Sequence, residues 1–412
     1  RRRYLALQKS LFELNVALLV DEGKPIDALR LVESFKARTL RETIAQVRED
    51  DLIPPAMRQS RQIIHDKILQ SATSWYGNAG SQQLSLLTNT QSLSSELEKI
   101  EIEIQDYLEQ QVTTLHVGEY LETPAVIGQR ELIAYYFLGE QRSWLWIIGE
   151  QGISLHNLPS ADELGKQINA AKRQISQHPT LRQEMTAYQQ RMALVELGSV
   201  LLTPVLAKLD PAVENLTVIP DGAIHGLAFG PLRTRPEDKP LLTRVALSYA
   251  PSFQALKALE ERAAKRPTMS EARLLVVADP IDLTSGANFE RLPQSAREAQ
   301  QIQSLMPGNT AVLMAASATK RSAIKAIANE YSILHFATHG LLNNHSPALS
   351  GLVFSKDSSE PNYWLTPEIS STPIHAGLVV LSACESSIGR EVAGEGLMSL
   401  SRAFIEAGAN NC

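Results

Sequence analysis

The spacing of hydrophobic and polar positions changes twice along the chain, and each change marks a different kind of architecture. Residues 1–111 keep helical spacing throughout. Leu5, Leu11, Leu14, Val16 and Leu18 fall in one mostly apolar stretch that ends at Gly23. Gly23 suits the position just past a helix end, and Pro25 suits the first turn of the next helix. Asp27 follows in that first turn, where the helix dipole favours a carboxylate, and Leu29, Val32 and Phe35 then recur at helical spacing. This helix pair has the size of one tetratricopeptide unit, and no second clear copy follows. Beyond Pro54 and Pro55 a further helix is expected to bury Ile64, Ile68 and Leu69. After the turn at 77–81, Leu93, Leu97, Ile100, Ile104 and Leu108 form a narrow amphipathic stripe.

Past residue 111 the period shortens. The runs 133–138, 143–148 and 153–158 are aromatic or β-branched and are separated by Gly-containing turns, which predicts an antiparallel meander. Helices are expected over 161–175 and 181–208, then a strand over 216–220 leading into the turn Asp221-Gly222. Residues 261–273 read as a charged, Pro-containing linker. From 274 to 412 strands and helices alternate. Strands are predicted at 274–278, 311–314, 332–337 and 378–383, with helices near 293–306, 319–329 and 396–408. Alternation of this kind implies a parallel sheet with helices on both faces, and the near-continuous apolar strands agree. The expected divisions are therefore 1–111, 112–260, a linker at 261–273, and 274–412.

Composition narrows the function classes. The chain is 412 residues long, 44% apolar and 20% charged, values typical of a globular protein of two to four domains. The net charge is −6, and apart from Arg1, Arg2 and Arg3 the basic residues do not cluster, so a nucleic-acid partner is not expected. No run approaches the roughly 18 apolar residues of a membrane span, so no membrane partner is expected. The only two cysteines, Cys384 and Cys412, cannot build a disulfide framework or a cysteine zinc site, and they fit a reducing, cytoplasmic setting. No initiator Met and no signal peptide are present, and the expectation is a fragment or processed form.

Chemistry concentrates at two strand ends. In open parallel sheets, active sites lie beyond the carboxyl ends of the strands. His339 comes two residues after the strand 332–337, and Cys384 directly follows the strand 378–383. If those strands are neighbours, an imidazole stands where it can take a thiol proton. The N–H of Gly340, with no Cβ beside it, and that of Cys384 are candidate oxyanion donors. Small residues around the thiol, Ala383 among them, leave room for a peptide. The plainer readings are an inert buried thiol and a turn histidine. His335, His339 and His345 do not make a metal site, because the first two straddle a strand end rather than one helix face. No serine elbow, phosphate loop or dinucleotide fingerprint is present, and no cofactor is expected.

At these residues the sequence resembles a known family. HFATHG at 335–340 and VVLSACES at 379–386 resemble the signature motifs of CHAT domains, caspase-like domains that often follow tetratricopeptide repeats. GEGLMSLSRAFIEAGA at 394–409, IPDGAIHGLAF at 219–229, VVADP at 276–280 and SFKARTL at 34–40 are similar to further segments of such proteins. The resemblance implies an α/β caspase-like domain, a parallel sheet flanked by helices, preceded by a helical TPR-like region. It implies a cysteine endopeptidase of the clan that holds caspases and separases, with His339 as base, Cys384 as nucleophile, and Gly340 and Cys384 at the oxyanion hole. Residues 112–260 would be a degenerate caspase-like front half. Asp279 and Ala383 would border the S1 pocket, where an acidic Asp279 favours a basic P1 side chain; the competing reading is a turn aspartate before Pro280. The partners implied are a protein substrate and a protein regulator bound through the N-terminal helices; nothing fixes an oligomeric state. The family continues beyond AGA with a further strand, so the edge beside 378–383 is expected to lie unpaired and activity to be impaired. A non-enzymatic scaffold is the alternative.

Overall fold

The computed structural model describes residues 2–36, 53–76, 81–111, 130–175, 183–265, 272–281, 289–329, 331–341, 343, 349–357, 362–382, 390–392, 396–398 and 400–412. The chain forms two compact units: Arg1–Arg38, His116–Leu256 and Ala393–Gly396 in the first, and Thr39–Leu115, Lys257–Val392 and Leu397–Cys412 in the second. This division differs from the one drawn along the sequence at residue 111. The first helix pair belongs with the meander and the later helices with the strand–helix alternation.

The first unit begins with helices α1 (Arg2–Asp21) and α2 (Pro25–Phe35). Gly23 closes α1 at φ 73°, its N–H donating to Val20 O and that of Lys24 to Leu19 O, the paired bonds of a Schellman end. Next come strands β1 (Glu131–Leu138), β2 (Ser143–Gly149) and β3 (Gly152–Leu158), then helices Ala161–Ile175, Gln183–Leu201 and Thr203–Lys208. The predicted helix 181–208 is thus two, with Leu202 between them. Strands β4 (Asn215–Ile219) and β5 (Ala246–Tyr249) complete a sheet of order β3-β2-β1-β4-β5. The meander is antiparallel as predicted, while β4 runs parallel to β1.

Strand geometry sends alternate residues of β1 to opposite faces. Leu132, Ala134, Tyr136 and Leu138 pack with Leu164, Ile168, Leu197, Leu201 and Val205 of the later helices. Ile133, Tyr135 and Phe137 join Trp144 and Trp146 against Val16 of α1 and Ala28, Leu29 and Val32 of α2. Both faces are covered, which is why the run reads as continuously apolar. Trp146 Nε1 donates to Pro25 O at 2.8 Å and pins the start of α2 to the sheet.

In the second unit, helices Pro55–Tyr76 and Ser81–Gln111 precede the sheet, burying Ile64, Ile68 and Ile104. Helix Phe253–Ala264, which enters this unit at Lys257, runs into the stretch expected to be linker. Glu260 and Glu261 lie exposed on this helix, and the buried Lys257 pairs with Glu260 at 2.7 Å. The sheet contains β6 (Leu274–Pro280), β7 (Thr310–Ala315), β8 (Ile333–Ala337) and, last in the chain, Leu378–Leu381. A three-stranded antiparallel sheet comprises β9 (Gly340–Leu341), β10 (Gly351–Val353) and β11 (Tyr363–Leu365). With Leu378–Leu381 as β12, the main sheet has the order β12-β8-β6-β7, and every pair in it is parallel.

Helix Pro293–Leu305 covers one face of this sheet through Ala299 and Ile302. The other face packs Leu275, Val277, Leu334, Phe336 and Val379 against helices Lys320–Ile327, Thr366–Ser370 and Leu400–Glu406. Phe336, Phe354, Trp364 and Phe404 form an aromatic cluster with centroids 5.5–6.3 Å apart. The last helix starts at Leu400 rather than near 396. The β12 edge, expected to lie unpaired, is met by the chain's own final residues. Val379 N–H donates to Asn411 O at 2.8 Å, and Leu378 and Asn411 form a parallel bridge.

Candidate active site

The parallel sheet of the second unit gathers three strand ends at one edge. β12 lies beside β8 with Leu381 opposite Phe336, and β8 lies beside β6 with Ala337 opposite Ala278. Beyond those registered pairs come His339, three residues after Phe336, and Asp279, one residue after Ala278. In sequence Cys384 follows Leu381 by three residues, the same count that separates His339 from Phe336. Cys384 and Ala383 lie outside the described residues.

The backbone at His339 is held on both sides. Thr338 is buried and its hydroxyl donates to Val353 O, while Val353 N–H donates to His339 O at 3.0 Å. Bonds between antiparallel strands join alternate residue pairs. His339 and Val353 are such a pair, so the next pair, Gly340 and Leu352, is not. The Gly340 N–H therefore points off the side of β9 away from β10, its one neighbour in that sheet among the described residues.

The His339 ring is fixed as well. Its Nε2 stands 2.7 Å from the carbonyl oxygen of Glu290, and the Phe289 ring lies 5.1 Å away, tilted by 38°. A carbonyl only accepts, so Nε2 carries the hydrogen. In the neutral imidazole the lone pair then sits on Nδ1, which is the atom that can receive a proton.

Asp279 is 2% exposed and adopts φ 44°, in the left-handed region that few non-glycine residues enter. Its Oδ1 accepts from Arg291 Nε and from Leu292 N–H, both at 2.9 Å, and its Oδ2 pairs with Arg291 Nη2. The hydrogen bond from Arg291 holds this carboxyl below the usual carboxylate range, against the opposing effect of burial. Its charge is thus committed inside the chain, and a basic P1 side chain would have to displace Arg291 to reach it. That is the physical objection to the S1 role expected of Asp279.

His335 is packed within β8, as expected, with Nε2 2.8 Å from Glu298 Oε1. Ser382, just past β12, donates from Oγ to Glu298 Oε2 at 3.4 Å. The sequence pointed to His339, Gly340 and Asp279 but not to Phe289, Glu290, Arg291 or Glu298. Glu290 acts through its backbone carbonyl, which has no side-chain signature, and Arg291 stands twelve residues after Asp279 with no periodic pattern linking the two.

An all-parallel sheet flanked by helices, with an oriented histidine just past one of its strand ends, makes the second unit an α/β unit with a candidate site at that edge. The sequence model of the CHAT domain matches residues 191–412, and the chain belongs to that family. The family is related to the caspase-like cysteine peptidases. Among curated proteins, none matches the chain.

Proposed function

We propose that the chain is a CHAT-type cysteine endopeptidase in which Cys384 attacks a protein substrate and His339 moves the protons. The observation that carries this reading is the parallel pairing of β12 with β8, Leu381 opposite Phe336. It supports bringing the nucleophile and the base, each three residues past that pair, to one sheet edge. The orientation of His339 supports it further, because Nδ1 is left as the proton acceptor.

In this mechanism Nδ1 takes the thiol proton and the thiolate adds to the scissile carbonyl carbon, forming a C–S bond. The resulting oxyanion is received by the N–H groups of Gly340 and Cys384. The imidazolium then gives its proton to the departing amine as the C–N bond breaks. Water, deprotonated by the same ring, adds to the thioester carbonyl and returns the free thiol with a carboxylic acid product. No metal or organic cofactor takes part. Ala383 would border the P1 side chain. Asp279, already paired with Arg291, gives no support to a basic P1 preference. The N-terminal helix pair would be a TPR-like unit that binds a protein regulator. On α1, Leu11 and Leu14 are each 54% exposed and Leu18 lies one turn further along the same stripe, which supports an apolar protein contact there. The proposed setting is the cytoplasm.

The test is alkylation of Cys384 by iodoacetamide from pH 5 to 9 in a Cys412→Ser background, since Cys412 is a free, exposed thiol. A thiolate titrating well below the roughly 8.5 of an ordinary cysteine, with that shift lost in His339→Ala, is the expected result. A normal titration, the same in both proteins, would refute the dyad and leave a protein-interaction scaffold.

A further inference from the structure

Asp279 is buried, conformationally strained and fully bonded, yet the proposed chemistry gives it nothing to do. Its carboxylate and its N–H bond to one short segment. The carboxylate holds the Arg291 guanidinium and the Leu292 N–H. Its own N–H donates to Ser295 Oγ at 2.9 Å, and Ser295 Oγ donates to Leu292 O at 2.8 Å. The bonds of Asp279 to Arg291, Leu292 and Ser295 fasten residues 291–295, the entry to helix Pro293–Leu305, onto the end of β6. The residues immediately before this fastened stretch are Phe289 and Glu290, which supply the ring beside His339 and the carbonyl that accepts its Nε2–H.

We infer that Asp279 is the positioning residue of His339, acting through Arg291 and Leu292 on the Glu290 carbonyl. The inference rests on the reading of His339 as the base. A backbone carbonyl can orient an imidazole only if the carbonyl itself is fixed, and here nothing covalent ties Glu290 to the sheet edge. The neighbouring residue, Arg291, is 58% exposed at its side chain, so the segment lies at the surface, and its anchor is the 2%-exposed carboxylate behind it. Cut that anchor, and the Glu290 carbonyl loses its place. Both His339 tautomers then become populated, and only the Nε2–H form keeps the lone pair on Nδ1. The backbone strain at Asp279 fits this role. The left-handed turn at the end of β6 coincides with a register shift between Ala278 and Pro280, which re-aims the side chain out of the sheet's alternation toward the 291–292 backbone.

The experiment reads the ring nitrogens of His339 by 15N NMR in the full chain labelled at histidine, with His339→Ala assigning the signals. Neutral imidazole tautomers differ in which nitrogen bears the hydrogen, a distinction that loss of stability alone does not alter. In the starting protein the Nε2–H form is expected to dominate. In Asp279→Ala the Nδ1–H population should rise several-fold, and Cys384 alkylation at pH 6 should slow by about tenfold, the effect of a one-unit rise in thiol pKa. Should Asp279→Ala fail to fold, Arg291→Gln, altered at an exposed side chain, is read in the same way. An unchanged tautomer ratio in a folded variant overturns the inference. If instead His339→Ala leaves the thiol titration unaltered, the dyad reading fails, while the tautomer ratio still decides whether Asp279 positions the ring.

Discussion

Glu33 offers a quantitative check on how the first unit is held together. The side chain is 1% exposed on α2, and both of its oxygens accept the Phe253 N–H at 3.0 Å. Burial pushes its carboxyl from an ordinary 4.5 up to about 7, with the positive charge of Lys36 opposing that rise. The folded chain therefore binds this proton more tightly than the unfolded chain does. Its stabilising contribution is fully present below pH 4.5 and is lost as pH rises through about 7. At about 1.4 kcal/mol for each unit of pH, the whole loss is about 3 kcal/mol. Glu33→Gln removes this titration while keeping an acceptor for Phe253. The stability of Glu33→Gln relative to the starting protein should then climb by about 3 kcal/mol as pH increases between 4.5 and 7. Urea unfolding at a series of pH values measures it, with Trp144 and Trp146 of the same core as fluorescent reporters. Taking the difference at each pH cancels every titration the two proteins share. A difference that does not vary with pH would refute the argument that burial, not pairing, governs Glu33.

Three further outcomes follow from the same structure. His225, whose pKa is lowered to about 4 by burial and then by Lys36, should give the mirror image: His225→Gln gains on the starting protein by about 3 kcal/mol as pH falls from 6.5 to 4, by the same unfolding assay. Gly198→Ala should destabilise the first unit by about 1–3 kcal/mol, since a Cβ there would sit 1.9 Å from the Arg233 carbonyl oxygen; thermal unfolding checks it. Arg262→Ala should speed amide exchange at Val379 and Asn410 by about tenfold, because the guanidinium donates to Asn410 Oδ1 at 2.9 Å and to Ala409 O, holding the chain end against β12; exchange read by mass spectrometry tests this.

The elements were legible in the sequence because their signals are local. Gly23 and Pro25 mark a helix end and a helix start by backbone preference alone, and both do so in the fold. The run at 133–138 announces a strand buried on both faces. Periodicity does not say which sheet a helix will cover. Ala28, Leu29 and Val32 carry the same helical signal as Ile64 and Ile68, yet the first set packs on the meander and the second belongs to the other unit. The supposed linker shows a related ambiguity. Glu261 and Arg262 look like a solvated connection in sequence, but a helix surface has the same composition, and the helix continues to Ala264.

The candidate site divides along a similar line. His339 and Gly340 were legible because a strand end followed by a His-Gly step is a local pattern, and the order of strands in the sheet then supplies the neighbour that the argument required. Asp279 was legible as a strand-end residue, but its bonding partners were not. Its position at a strand end suggested contact with substrate, whereas its bonds face inward to Arg291 and Leu292. The difference lies in the second partner, since an acidic side chain at a sheet edge recognises a cation only when no internal cation is closer. Arg291 is that internal cation, twelve residues further along and joined by no pattern a sequence displays. What orients the histidine is a peptide carbonyl at Glu290, and every residue has one. Chemistry that depends on side-chain identity can be read from a sequence, whereas chemistry that depends on where the backbone is anchored appears only once the anchor is seen.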